Sequence, residues 1–234
     1  MSDGKSNGKS ANMSPESAGM TVRAPVIHVI DDDASFRISI GRLLEASGYR
    51  VALYESGDQY LRSPLCTDPG CILLDLRMTG LDGLQLQQRL ADVQTLLPVI
   101  FLTGHGDIPA SVQAMKSGAE DFLTKPVSKA ALLEAIGRAL RRYTELREQF
   151  DRIAEIRHRV DLLSPREREV YLLFVRGKQN KQIAHELGKS VRTIKAQRQS
   201  IMQKLDVGSV AEAVSMAEKL GLLVATESNF VRPD

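Results

Sequence analysis

Cys71-Ile72-Leu73-Leu74-Asp75-Leu76-Arg77-Met78 sets the fold class of this chain. Its apolar run has the length of a strand and ends on a single carboxylate, before a loop that carries Gly80 and Gly83. Runs of this kind form central strands of parallel sheets, covered by helices on both faces. In open α/β sheets, binding and chemistry sit just beyond the carboxyl ends of such strands. Asp75 therefore stands where a reactive group belongs. Its competing role is that of a loop aspartate capping the next helix.

The flanking sequence repeats the same unit. Val26–Ile30 reads as a strand, followed by Asp31-Asp32-Asp33 and a helical period through Phe36, Ile40, Leu43 and Leu44 that Gly48 closes. Val51–Tyr54 is a second strand with a short helix to Leu61, and the Cys71–Leu74 strand precedes a helix near Leu84–Leu90. Pro98–Leu102 is a fourth strand with a helix around Ile108–Lys116, and Phe122-Leu123 lies in a fifth, with Lys125-Pro126 ahead of a long helix. Strands alternating with helices in this way predict an α/β doubly wound, five-stranded parallel sheet.

The long helix continues past the sheet. Leu132, Ile136, Ala139, Tyr143, Leu146, Phe150, Ile153 and Val160 keep a heptad-like spacing that breaks near Arg157. The first half suits packing on the sheet; the second suits an interdomain or dimerising helix. Beyond it, residues 164–223 predict four short helices. Ser164-Pro165-Arg166-Glu167 is a capping box with proline at the first helical position, and Ser209-Val210-Ala211-Glu212 is a second. The organisation expected is a disordered tail over 1–22, a sheet domain over 23–142, a helical linker over 143–160, an all-α domain over 161–224, and a loose tail over 225–234.

A chain of 234 residues suits one or two domains. No uncharged apolar run approaches the roughly 18 residues of a membrane span. The N-terminus lacks the apolar centre of a signal peptide, so the expected compartment is cytoplasmic. Cys66 and Cys71 have no neighbouring His or third Cys to complete a metal or redox site and read as structural. Between Val26 and Val127 acids exceed bases by about five, and between Asp161 and Leu223 bases exceed acids by about four. An acidic half joined to a basic half hints at a nucleic-acid module attached to something else.

The strand ends carry a constellation. Asp31 and Asp32 follow the first strand, Asp75 ends the third, Thr103 the fourth and Lys125 the fifth. A parallel sheet brings all of them to one edge. Three adjacent carboxylates repel unless a divalent cation binds, and all-oxygen ligation with few protein groups suits Mg2+ (or Mn2+). A cation, a hydroxyl and an ammonium converging on one carboxylate form the apparatus for an aspartyl phosphate, with Asp75 as nucleophile.

Val29-Ile30-Asp31-Asp32-Asp33, Leu74-Asp75-Leu76-Arg77-Met78, Leu102-Thr103-Gly104-His105-Gly106-Asp107 and Phe122-Leu123-Thr124-Lys125-Pro126 resemble the receiver domain of bacterial response regulators, most of all its FixJ branch. The resemblance implies that Asp75 takes phosphate from a sensor histidine kinase. It implies metal ligation by Asp32, Asp75 and the Arg77 carbonyl, with Asp31 acting through water, and a cis Lys125-Pro126 bond. Thr103 and Phe122 would be a switch pair. Such a domain is not an enzyme beyond self-directed phosphotransfer and autodephosphorylation. Thr79 departs from the pattern, which has proline after Met, and should leave the loop after Asp75 less rigid.

The basic half carries the second constellation. Asn180–Leu187, a three-residue turn and Val191–Leu205 have helix-turn-helix proportions. Ile194, Ile201 and Leu205 form one face of the last helix; Arg192, Lys195, Ala196 and Gln199 form the opposite one. No acid occurs from Val191 to Lys204, whereas a merely solvated helix face usually mixes both signs. A cationic helix of this kind suits a major groove. Leu163–Val170, Gly177–Ala184, Thr193-Ile194-Lys195 and Ile201–Leu205 resemble a LuxR-type output domain. That resemblance implies base contacts from Lys195, Ala196 and Gln199 and backbone contacts from Lys181, Arg192, Thr193 and Arg198. The partners implied are promoter DNA, RNA polymerase and a second copy of the chain on phosphorylation, with no membrane.

Together these readings predict a phosphorylation-controlled, DNA-binding transcriptional regulator. A haloacid-dehalogenase-type phosphatase needs a second Asp two residues after its nucleophile, where this chain has Arg77. A degenerate receiver that works without phosphate would not retain all five site residues. A quorum-sensing regulator shares the output domain, but its ligand pocket could not be the 25–140 segment.

Overall fold

The computed structural model describes residues 24–64, 68–104 and 108–223. Both expected tails, Cys66 and the His105-Gly106-Asp107 part of the fourth-strand motif lie outside the described residues. The strands are β1 (Val26–Ile30), β2 (Arg50–Tyr54), β3 (Gly70–Asp75), β4 (Val99–Thr103) and β5 (Asp121–Thr124). The helices that follow them in turn are α1 (Ala34–Glu45), α2 (Gly57–Arg62), α3 (Gly83–Asp92), α4 (Ile108–Lys116) and α5 (Lys129–Asp161). All strand pairs are parallel, in the order β2-β1-β3-β4-β5. The continuous apolar runs of β1, β3 and β4 are the three inner strands, buried along their whole length. The shorter or more polar β2 and β5 are the edges.

Alternation divides the sheet residues between two faces. Ile27, Val29, Cys71, Leu73, Ile100 and Leu102 pack against Ile40 and Leu44 of α1 and against Leu132, Ala135, Ile136 and Ala139 of α5. Phe101 points the other way, to the side on which α3 starts. Gly83 is required at that start, because a Cβ there would meet the Asp75 carbonyl oxygen at 2.5 Å and Phe101 Cε1 at 2.9 Å. Cys71 is fully buried, which pushes its thiol up to about 12 and leaves it inert.

α5 is one uninterrupted helix of 33 residues. Tyr143 is buried, but Phe150 and Ile153 in the second half of the seam are exposed. Val160 joins a second core with α6 (Pro165–Val175), α7 (Asn180–Glu186), α8 (Val191–Leu205) and α9 (Val210–Lys219). Tyr171 lies at the centre of that core, its hydroxyl donating to the Ala213 carbonyl at 3.0 Å. Burial pushes this phenol up to about 12.

The Ser164–Glu167 capping box forms as expected, with donors satisfied in both directions. The Ser209–Glu212 box does not close in that form. Ser209 caps the helix, but Glu212 accepts from the Gly208 N–H at 3.1 Å and from the Ser209 hydroxyl at 2.9 Å. A glutamate side chain is long enough to take the next donor upstream. Among the described residues, no helix is long and apolar enough to cross a membrane.

Candidate functional site

Strand register assembles the first site. Ile30 pairs with Leu74, which sets Asp31 beside Asp75. Asp75 pairs with Leu102, and Thr103 with Thr124, so Thr103 and Lys125 follow at the same edge. Local structure releases the acids from other duties. The caps of α1 and α3 are Asp33 and Asp82, so neither Asp31, Asp32 nor Asp75 is needed to cap a helix. The competing role of Asp75 is thereby filled by another residue.

One carboxylate oxygen from each of Asp31, Asp32 and Asp75 lies within 4.8 Å of the others. Asp31 and Asp75 are buried, and Asp32 is exposed. Lys125 Nζ donates to Asp31 Oδ2 at 2.6 Å and lies 3.3 Å from Asp75 Oδ1. Its ammonium also sits 4.1 Å from the centre of the Phe36 ring, a cation–π contact. Asp31 Oδ1 accepts from the Asp33 N–H at 2.9 Å. Burial holds the Asp75 carboxyl above its ordinary value, and the charge of Asp31 adds to this. Lys125 and a backbone hydrogen bond from Arg77 pull it back down. Asp75 is thus a desolvated carboxylate kept ionisable by one ammonium.

Thr103 is 2% exposed at the end of β4, and its carbonyl accepts from the Lys125 N–H at 2.6 Å. The Lys125-Pro126 peptide bond is cis. Phe122 is half-buried, its ring centre 6.4 Å from that of Phe101. The Arg77 side chain is exposed. Two participants went unread in the sequence. Phe36 looked only like a core position of a helical period, and Thr79 looked only like a missing proline. Thr79 in fact donates its N–H and its hydroxyl to Asp32 Oδ2, at 2.9 and 3.1 Å.

The second site is the outer face of α8. Ser190 caps this helix, accepting from the Thr193 N–H at 3.1 Å, and Ile194, Ile201 and Leu205 are fully buried beneath it. That burial leaves Arg192, Thr193, Lys195, Ala196 and Gln199 exposed, with Lys181 exposed on α7. Arg198 is placed differently. It is half-buried, donates to Asn180 Oδ1 at 2.5 Å and lies 4.8 Å from the centre of the Phe174 ring. It joins α8 to the start of α7 and to α6. Glu167 makes a comparable joint, accepting from Ser200 at 3.2 Å and from Lys204 at 2.7 Å.

Comparison with known proteins agrees with both halves. Residues 27–137 match the response regulator receiver domain, and residues 161–217 match the bacterial regulatory proteins of the luxR family. The chain is 42% identical over 202 residues to the transcriptional regulatory protein FixJ of Azorhizobium caulinodans, covering 86% of this chain and 96% of that one. It is 38% identical over 201 residues to the response regulator protein TodT of Pseudomonas putida, covering 86% and 88%. Among solved structures it resembles the response regulator StyR, with a TM-score of 0.69 and 40% identity over 84% of this chain and 99% of that one. Full-length FixJ from B. japonicum follows with 0.52 and 39%, over 87% and 100%. The parallel sheet with its acidic edge and the basic helix-turn-helix thus belong to a chain of the response-regulator family, a receiver domain joined to a LuxR-type DNA-binding domain that serves transcriptional regulation.

Proposed function

We propose that Asp75 is the phosphoacceptor, that a sensor histidine kinase is the donor, and that phosphorylation controls promoter binding by α8. The observation that carries the reading is Lys125, whose ammonium lies between Asp31 and Asp75 at the carboxyl edge of the sheet. An Asp75 oxygen attacks the phosphorus of a phosphohistidine, the P–N bond breaks, and the imidazole leaves with its electron pair. Lys125 neutralises charge on the transferring group, and the Thr103 hydroxyl supplies a hydrogen bond to one of its oxygens.

The donor set of the acidic cluster fits a hard divalent cation. It is oxygen-only and acidic, and its ligand atoms lie within 4.8 Å of one another. Asp32, Asp75 and the Arg77 carbonyl would hold Mg2+ (or Mn2+), with Asp31 acting through water. Such an ion supplies charge neutralisation to an incoming phosphoryl group.

The working division is a receiver over 23–142, a linker over 143–160 and an output domain over 161–224. The protein acts in the cytoplasm as a dimer once phosphorylated, and engages RNA polymerase at its promoters. Asp75→Asn tests the assignment. Incubated with acetyl phosphate and Mg2+, the unaltered chain acquires acid-stable label and the variant acquires none. Label persisting on the variant would place the acceptor elsewhere.

A further inference from the structure

The three acids of the cluster are not held alike. Asp31 is buried, with one oxygen on the Asp33 N–H and the other on Lys125. Asp75 is buried, with Lys125 and the Arg77 backbone as partners. Asp32 is exposed, and on elementary grounds an exposed aspartate turns freely about its side-chain bonds and is repelled by two neighbouring carboxylates. What holds it is Thr79. The N–H at 2.9 Å and the hydroxyl at 3.1 Å both donate to Oδ2, which leaves Oδ1 as the oxygen with open lone pairs.

We propose that Thr79 is a positioning residue for the divalent-cation site, fixing Asp32 where its carboxylate meets those of Asp31 and Asp75. Thr79 does for the exposed acid what burial and Lys125 do for the other two. Its donors are neutral, so they orient Asp32 without cancelling the negative charge that draws a cation. The tie spans 47 residues of sequence and joins the loop after β3 to the loop after β1. Both cation-bearing loops are thereby fixed to each other before any ion arrives. Proline, which the pattern of this motif places here, has no N–H and no hydroxyl and could make neither bond. The departure is thus a substitution of hydrogen bonding for backbone stiffness.

The inference rests on the cation site proposed above, and the test separates the two. Mg2+ is titrated into the full chain by calorimetry without phosphodonor, for the unaltered protein and for Thr79→Pro, Thr79→Val and Thr79→Ser. Melting in EDTA checks that each variant is folded. Loss of an outer-shell partner of this kind weakens metal affinity about 10- to 100-fold, which is the effect expected for Thr79→Pro. Thr79→Val keeps the N–H and should fall between, and Thr79→Ser should bind as the unaltered chain does. If Thr79→Pro does not fold, weaker binding by Thr79→Val supports the proposal and unchanged binding overturns it. A folded Thr79→Pro that binds Mg2+ as tightly as the unaltered chain, or more tightly, overturns it and leaves the cation site standing. An unaltered chain that takes up no Mg2+ removes both.

Discussion

Lys125 Nζ lies 3.3 Å from Asp75 Oδ1, although it is delivered from the edge strand β5 and the aspartate from the central strand β3. The pair bears directly on the titration of Asp75. Burial raises the carboxyl, and Lys125 is the largest influence acting the other way. Since the folded pKa is raised, ionised Asp75 costs stability above that pKa, and the cost is relieved as pH falls through it. Lys125→Met should therefore move the Asp75 titration further up. Carbon-detected NMR of the metal-free protein reads this directly, and a midpoint that stays or falls counts against the role given to Lys125.

Glu167 is held by Lys204 first, then by the Ser164 N–H and hydroxyl, and these bonds draw it down to about 2 from an ordinary value near 4.5. A depressed carboxylate stabilises the fold above its unfolded pKa and loses that contribution as pH falls through the folded one. The melting temperature of Glu167→Gln should trail that of the unaltered chain at neutral pH. The gap should close between about pH 4.5 and pH 2, the span between the two pKa values. A gap that is constant with pH would mean that the ion pair and cap do not carry the difference.

Two cations on α8 should behave differently when removed. Exposed Lys195 is free to reach a base edge, and Lys195→Ala should cost about 1–3 kcal/mol of discrimination between operator and altered sites. Arg198→Ala should weaken all sequences alike and lower the salt slope by about one if it meets a phosphate. Because Arg198 also bridges Asn180 and Phe174, that variant should unfold at a lower temperature, whereas Lys195→Ala should not. Paired DNA titrations and melts check both, and uniform loss of affinity in the two variants would remove the base-reading role of Lys195.

Phosphorylated Asp75 carries about −1.5 to −2 charge and three acceptor oxygens where the carboxylate carried a single charge. On the function proposed above, Thr103 is drawn to it and Phe122 turns inward, which would change the surface near β4 and β5 and promote a dimer. A dimer offers two recognition helices, each raising the effective concentration of the other. Binding to a duplex with two half-sites should therefore tighten by about 10²-fold or more. A single half-site should gain little. Sedimentation with DNA titrations, with and without phosphodonor, makes the comparison. A protein that stays monomeric yet gains equally on both duplexes excludes dimerisation as the switch.

The two domains, the strand and helix order, and the residues at the acidic edge and on the outer face of α8 follow from the chain alone. These are legible because they depend on local period. A continuous apolar run marks an inner strand, and parallel pairing then forces Asp31, Asp75, Thr103 and Lys125 to a common edge whatever the details of packing. How those residues are held is a matter of packing between distant elements. Phe36 lies under Lys125, Thr79 grips Asp32 across 47 residues, Arg198 reaches Asn180 across 18, and Glu167 takes Lys204 across 37. No periodicity encodes such pairs, because each joins side chains from elements whose separation is set by the packing of the core. The same reason explains Glu212, whose spacing announced a capping box and whose reach carried it one donor further, to Gly208.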